Sequence, residues 1–523
     1  MPALKIAPYA GLNKRFPQHK IVNTSKKGES QFCVELKNLL CLDSKIYKFP
    51  GARRYNDTAV SGDVRWSKRI YYTDGGDKKR YQFSVIGNKM YRGNDNTGEL
   101  SQSLISTSTD ISIEDSYPID STLKVAGVVS TFLVDGKYFY KFNGNEAGSW
   151  DRLEIKQDVD GNDIEPIFIA EYLDRMWVLC KNRNVLIGSK NLNPESFDDS
   201  TDSVLIELPP GNGGYPTGLI VHRGFLFILH EDYFVPLSGS SPATFGVKPG
   251  DVVVGYGTRA PRSIVSLKTK FAFLNSFDNE WYMSNGTVDS TEKTPFSYPI
   301  NFSKLINPTR AYLTVACHDE KLNAIRASYV YTGEYYLNAE VIYSLDEEKW
   351  CGETRGRKIS TYSPWNGNGD QGEILTGRSD TGVLMVESVN ELNFDSSAIP
   401  MKLVTASYTA SEMGTVQFEN FFLEGKPSGN YSVPFTYYLD TRLTTNGVEN
   451  FNMQGELIGS FAAQFADQLT FMNEGRFLID KNRGRMVRFE MEWAPLDRYL
   501  EFYSLYATYN VMEDVFSKYI HGA

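Results

Sequence analysis

The sequence predicts an all-β protein, a β-propeller of six or seven degenerate blades joined to a β-sandwich-like sheet domain. Three observations carry that prediction. The 523 residues include 32 Tyr, 31 Phe and 7 Trp, side chains that suit the pleated, half-buried surface of strands. Hairpin dipeptides punctuate the middle of the chain: Asp74-Gly75, Asp135-Gly136, Asn143-Gly144, Asp160-Gly161 and Asn285-Gly286, where glycine accepts the positive φ of a tight turn. Between them lie period-2 or wholly apolar runs, among them KYFYKF at 137–142, MWVLC at 176–180, FLFIL at 225–229, FAFL at 271–274 and NAEVIY at 338–343. No long helical pattern interrupts residues 45–395.

A chain of this length exceeds what one core supports, so more than one domain is expected. Residues 1–45 read as an arm with one or two strands, rich in Lys and Asn, that joins the C-terminal sheet. Residues 46–395 read as the propeller. Its repeating unit is an apolar strand, a tight polar turn, a strongly apolar strand, a turn, and a third strand that ends in Gly and Ser. The unit is seen at 62–92, 130–142, 167–189, 216–237, 262–285, 312–345 and 358–386. Its centres recur every roughly 40 to 60 residues, near the period of a four-stranded blade. One blade cannot bury both its faces; several set radially can, and few sheet edges then stay open. From 396 to 523 the strands lengthen and alternate, as in VQFENFFLE (416–424), SVPFTYYL (432–439), MVRFEMEW (486–493) and YLEFYSLYATY (499–509), which reads as a sheet platform. Residues 460–472 fit helix and strand spacing alike, and 511–520 fit a short amphipathic helix.

The charged residues sum to a net −10. That opposes a protein built to clamp nucleic acid, because phosphate contacts need clustered Lys and Arg, yet it suits a surface that DNA slides past. Cys33, Cys41, Cys180, Cys317 and Cys351 are too few and scattered for a disulfide framework and form no CxxC pair, so buried reduced thiols are expected. The N-terminus has no apolar signal core, and the longest apolar stretches, such as GFLFIL at 224–229, fall far short of a membrane span. A soluble protein is expected.

Motifs with chemical potential are few. His19, His222, His230, His318 and His521 make no HExxH and no hydrolase triad context; His222 and His230 flank one apolar hairpin and read as residues lining a strand pair. The run DVDGNDIE at 158–165 could offer oxygens to calcium through Asp158, Asp160 and Asn162. Its sixth position is Asp163 where glycine is wanted, and its twelfth is Ile169 in place of a glutamate, so a solvated acidic turn is expected. Gly211-Asn212-Gly213-Gly214 lacks the Gly-Lys-Ser/Thr ending of a phosphate loop. Asp380-Thr381-Gly382 echoes the turn of sialidase propellers without its Ser (Arg378 stands there) or its Trp (Met385). Arg53-Arg54 and Lys78-Lys79-Arg80 are the densest basic clusters, either solvated faces or contacts for an acidic neighbour. Catalytic, cofactor-binding and metal-ligating residues are therefore expected to be none, and no cofactor is expected.

Residues 48–56 (KFPGARRYN), a strand ending in Pro-Gly followed by basic and aromatic residues, resemble the opening segment of short-tailed bacteriophage tail-hub or nozzle proteins, the tail tubular protein B and packaged-DNA stabilisation families. The unit at 171–197 is similar to their recurrent blade segment, with Val185 to Ser189, then Asn193-Pro194 and Phe197. The succession of 418–424, Asp440, 484–490 and 500–505 is similar to the sheet region that follows their propeller. The resemblance implies a structural virion protein. It would be a subunit of a hexameric ring in the phage tail that extends the channel of the portal and its adaptor, retains packaged double-stranded DNA and conducts it at ejection. The implied partners are further copies of the chain, adaptor or connector proteins, and tail fibres, spikes or a needle, with assembly in the bacterial cytoplasm. The family brings no catalytic residues. Competing expectations are a propeller that binds or cleaves glycans at the tail tip; cleavage would require two carboxylates in an axial pocket.

Overall fold

In the computed structural model, the strand Arg175–Cys180 has all six side chains buried. Met176, Val178 and Cys180 pack with Phe132, Val134 and Phe139 of the preceding sheet. Trp177 and Leu179 pack with Leu226 and Ile228 of the following one. A strand covered on both faces has no polar side to show, which is why its sequence reads as an unbroken apolar run rather than an alternating one.

The structure describes residues 3–6, 10–15, 22–24, 32–74, 77–94, 98–103, 117–125, 127–142, 144, 148–211, 214–287, 291–365, 373–388, 390–410, 415–426, 431–440, 447–452, 471–476 and 483–511. The chain divides into two units. One comprises Arg54–Glu340 and Gly356–Glu387; the other comprises Met1–Arg53, Val341–Arg355 and Ser388–Ala523.

The first unit is a six-bladed β-propeller arrangement of antiparallel sheets. The first strands of its six blades are Val64–Asp74, Ile119–Val125, Pro166–Tyr172, Gly218–His222, Val265–Ser266 and Ile359–Trp365. Between the fifth and sixth sheets the hairpin of Val315–Asp319 and Ala324–Tyr329 takes a place in the circle, its first strand packing against Val265–Ser266 and Ile359–Trp365. Ile359–Trp365 in turn packs on Val64–Asp74, and Trp66 Nε1 donates to Asp120 of the second sheet at 2.8 Å. The core lies between successive sheets. Trp66, Phe83, Phe142 and Trp150 fill the first such space, and Phe227, Phe234, Phe271 and Phe273 fill the one between the fourth and fifth sheets. Two of the expected strands are present with the expected bounds, Phe225–Leu229 and Phe271–Leu274. The first turn of the 171–197 unit does without glycine: Leu173 and Asp174 carry φ of 50° and 57°. Among the described residues, helix is confined to the four residues Phe302–Leu305 and a few short 3₁₀ turns.

In the second unit, Ser432–Leu439 and Met486–Trp493 alternate buried and more exposed side chains as read from the sequence. They pair with Tyr437 opposite Phe489, and Met486–Trp493 continues to Met401–Thr405, which pairs with Phe32–Lys37. A second sheet is centred on Val416–Gly425 and Glu501–Val511, and Ala3–Ile6 pairs with the latter. The two sheets meet through rings: Phe421 lies 4.6 Å from Phe489 and 5.3 Å from Tyr437, and Phe435 lies 5.9 Å from Phe502. Strands from both ends of the chain thus build this unit. It also takes in Val341–Arg355, through which the sequence reading runs the propeller without a break. Phe471–Arg476 is a strand. The rest of 460–472, and the helix expected at 511–520 apart from Val511, lie outside the described residues.

Candidate functional site

Asp158 is buried, and its carboxylate is already occupied. Oδ1 accepts from the backbone N–H of Asp160 (3.0 Å) and Asn162 (2.9 Å), and Oδ2 from Arg183 (2.6 Å). Burial pushes this carboxyl up, but the Arg183 bond and the backbone N–H groups outweigh it and hold the group below its ordinary value. The acidic run is a turn stapled from within by Asp158, whose oxygens are committed to the turn itself. His222 sits opposite Phe225 in the strand pair, with Nδ1 3.0 Å from Ser266 Oγ. His230 stacks on Tyr233 at 4.7 Å. Both are buried, and burial lowers both imidazoles below their ordinary value.

The remaining motifs also have structural partners. Asp380 accepts two bonds from Arg378, both 2.9 Å, and one from Lys358 at 3.0 Å. Arg53 is exposed and reaches Glu391 at 3.8 Å, whereas Arg54 donates to the carbonyl of Asp57. The side chain of Lys78 lies outside the described residues, as do Asn212 and Gly213 of the glycine-rich loop. No disulfide joins the five cysteines, and all but Cys317 are buried. Burial raises them, Cys41 to about 11 and Cys180 to about 12, which keeps both protonated and unreactive at neutral pH. Among the described residues no group of three or more His, Cys, Asp or Glu is placed to hold a metal ion. His19 and His521 lie outside those residues.

Two constellations in the propeller unit go beyond what the sequence reading singles out. The first is an ion cluster. Arg326, 2% exposed, is bidentate to Glu387 (2.7 and 3.1 Å), donates through Nε to Glu340 Oε1 at 2.7 Å and reaches Asp319 at 3.4 Å. Arg357 also binds Glu387 and lies 3.7 Å from Glu340, to which the Tyr362 hydroxyl donates at 2.9 Å. Burial pushes the Glu387 carboxyl up, yet the two guanidinium groups outweigh it and hold the group low. At Asp319 burial prevails over Arg326 and the carboxyl is raised. Beside the cluster is a recess of about 160 Å³ lined by Cys317, His318, Ser363 and Glu373 among others. The signal in the sequence is a charge inside an otherwise small or apolar run, Arg326 in AIRASY and Glu340 in AEVIYS. Charges at such positions require partners.

The second is a cavity of about 530 Å³ whose lining includes Asp63, Tyr117, Arg310, Tyr312, Tyr335 and Tyr336. Its walls are set by local chemistry. Asn307 caps the 3₁₀ turn Pro308–Leu313 by accepting from Thr309 N (3.1 Å), and its Nδ2 donates to the carbonyl of Glu334 (2.7 Å). One side chain thereby ties the turn bearing Arg310 and Tyr312 to the one bearing Tyr335 and Tyr336. The Arg262 guanidinium lies 3.5 Å from the Tyr117 ring centre and is held by the carbonyls of Ser360 (2.8 Å) and Leu313 (3.0 Å). Arg310 Nη1 donates to the Tyr312 hydroxyl at 3.0 Å.

No protein-family model matches the chain, and no curated protein sequence matches it. Among the described residues, no helix is long and apolar enough to cross a membrane.

Proposed function

We propose that this chain is a structural virion protein of a short-tailed phage, a tail hub or nozzle subunit that assembles as a hexameric ring around a channel for double-stranded DNA. Its partners in this reading are further copies of itself, the portal adaptor, and fibres, spikes or a needle. The observation that carries the reading is how the chain is apportioned: one six-bladed propeller unit, and one β-sheet unit that both chain ends build. Such a division suits a scaffold subunit, with two all-β units to serve different contacts. The sequence resemblance at 48–56, 171–197 and the C-terminal strands points the same way. A net charge of −10, repeated around a ring, favours passage of a polyanion over its capture.

The glycan-cleaving alternative draws less support. It needs two carboxylates with distinct proton affinities facing a substrate. Glu340 and Glu387 of the propeller unit are buried and engaged by Arg326 and Arg357, an arrangement for holding strands rather than for proton transfer. Mass photometry and negative-stain imaging of the purified chain, alone and with its adaptor, test the proposal. A ring of about six copies is expected. A chain that stays monomeric in both conditions and cleaves glycans would overturn it.

A further inference from the structure

The tyrosine-lined cavity is built for something other than holding the propeller together. Tyr335 and Tyr336 are adjacent in sequence and 67% and 70% exposed, and Tyr312 is 43% exposed. Large rings left in water are costly when singly scattered neighbours could bury them, and three converging on one concavity form a patch rather than a scatter. The turns that carry them are tied to each other by Asn307, so the rings are presented on a fixed frame and lose little freedom on binding.

The lining selects the ligand class. Its volume of about 530 Å³ falls in the range of small-ligand sites, roughly 300 to 1,000 Å³, and a recess of that kind suits a compact ring better than a broad protein face. A phosphate-bearing ligand is disfavoured, because the lining sets a single guanidinium, Arg310, beside a carboxylate, Asp63, rather than clustering cations. A purely apolar ligand would leave unused the remaining donor and acceptor positions of Arg310, of the tyrosine hydroxyls and of Asp63, which also accepts from Arg65 Nε at 3.2 Å. What remains is a neutral molecule with apolar faces and a rim of hydroxyl groups. The ring faces of Tyr335 and Tyr336 would cover the C–H faces. Arg310 and Tyr312, already joined at 3.0 Å, would meet hydroxyls as donors, and Asp63 would accept from them.

We infer that this cavity is a binding site for a neutral pyranose saccharide, with Tyr335 and Tyr336 as the stacking platform and Arg310 and Asp63 as the hydroxyl-reading pair. The site goes beyond the ring-forming role proposed above and stands or falls independently of it. A free sugar and a sugar unit of a cell-surface polysaccharide present the same chemistry.

The test uses the full chain on an array of bacterial surface polysaccharides, oligosaccharides and monosaccharides, with each hit followed by isothermal titration. Binding of at least one neutral pyranose glycan is expected, weakened about tenfold or more in Tyr335→Ala/Tyr336→Ala and unchanged in Tyr71→Ala, a comparably exposed tyrosine outside the cavity. Retention of polysaccharides alone would assign the site to a surface polymer, and of monosaccharides as well to a free sugar; both support it. An array without hits, or binding unaltered by the double substitution, overturns the inference. So does an array without hits in which the double substitution abolishes self-association, since the tyrosines would then be a protein contact.

Discussion

Arg326 holds three carboxylates where water does not reach, and the cost of removing it is set by what stays behind. Glu340, Glu387 and Asp319 would keep their places, with Arg357 left to pair with the first two. Breaking a buried ion pair from one side costs about 3–5 kcal/mol, so Arg326→Ala should lower the urea midpoint by that equivalent, and a loss under 1 kcal/mol would contradict the account. Asp380 makes a different prediction. Burial raises its carboxyl, yet Arg378 and Lys358 prevail and bring it to about 2 from an ordinary 3.8. A depressed folded value means that the stabilisation is fully present above about pH 4 and is lost as pH falls towards 2. The difference in urea midpoint between the wild type and Asp380→Asn should therefore shrink across that window; a difference constant with pH would refute it. At this scale the sequence was least legible. Asp158 was visible as an acidic residue in a turn, but its service to two backbone N–H groups and Arg183 depends on a residue 25 positions away, which spacing alone does not reveal.

Strands and turns were more legible, because each announces itself through its own residues. Phe225–Leu229 and Phe271–Leu274 carry their bounds in an unbroken apolar run, and Asn285-Gly286 marks a bend at which Gly286 has φ 105°. What the dipeptide does not reveal is how closely the bend approaches the next sheet: a Cβ on Gly286 would lie 2.2 Å from the ring of Phe227. Gly286→Ala therefore adds a clash between the fourth and fifth sheets to an unfavourable φ, and a loss of about 1–3 kcal/mol is expected by thermal unfolding. A neutral outcome would mean that the ring of Phe227 moves freely, contrary to its packing with Phe234 and Phe271. The hairpin turn at Leu173 and Asp174 lies in the repeating unit read at 167–189, but its two left-handed residues are not announced, because no glycine marks them. The strand Ala339–Ser344 was found, but not that the chain passes from one unit to the other within it, since a strand looks the same in either.

For the whole molecule, the repeat of apolar strand and turn fixed the class of fold, while the count of blades depended on which repeat units close into separate sheets. The unit at 312–345 supplies a hairpin to the circle and then leads out of it, so its sequence resembles a blade more than its topology does. Closure of the circle rests on residues far apart in the chain. Tyr55 N donates to the Leu384 carbonyl at 2.8 Å, Leu384 N donates to Asn56 Oδ1 at 2.8 Å, and Asn56 Nδ2 reaches the Gly382 carbonyl at 3.0 Å. Asn56→Ala removes the acceptor of a buried amide and should cost about 1–3 kcal/mol, with faster hydrogen exchange at Leu384 as its local signature. Unchanged exchange there would place the closure elsewhere.

That closure also sets a timetable. Tyr55 and Asn56 emerge from the ribosome early, whereas Gly382 and Leu384 follow only after more than 300 further residues, a delay on the order of tens of seconds at bacterial rates of synthesis. Until then the first sheet has an open flank with Val64 and Ile86 exposed, the residues that later meet Leu375 and Val386. The nascent chain must keep that flank from foreign strands throughout the interval, so the exposed edge of the first sheet is the place where a chaperone would have most to protect.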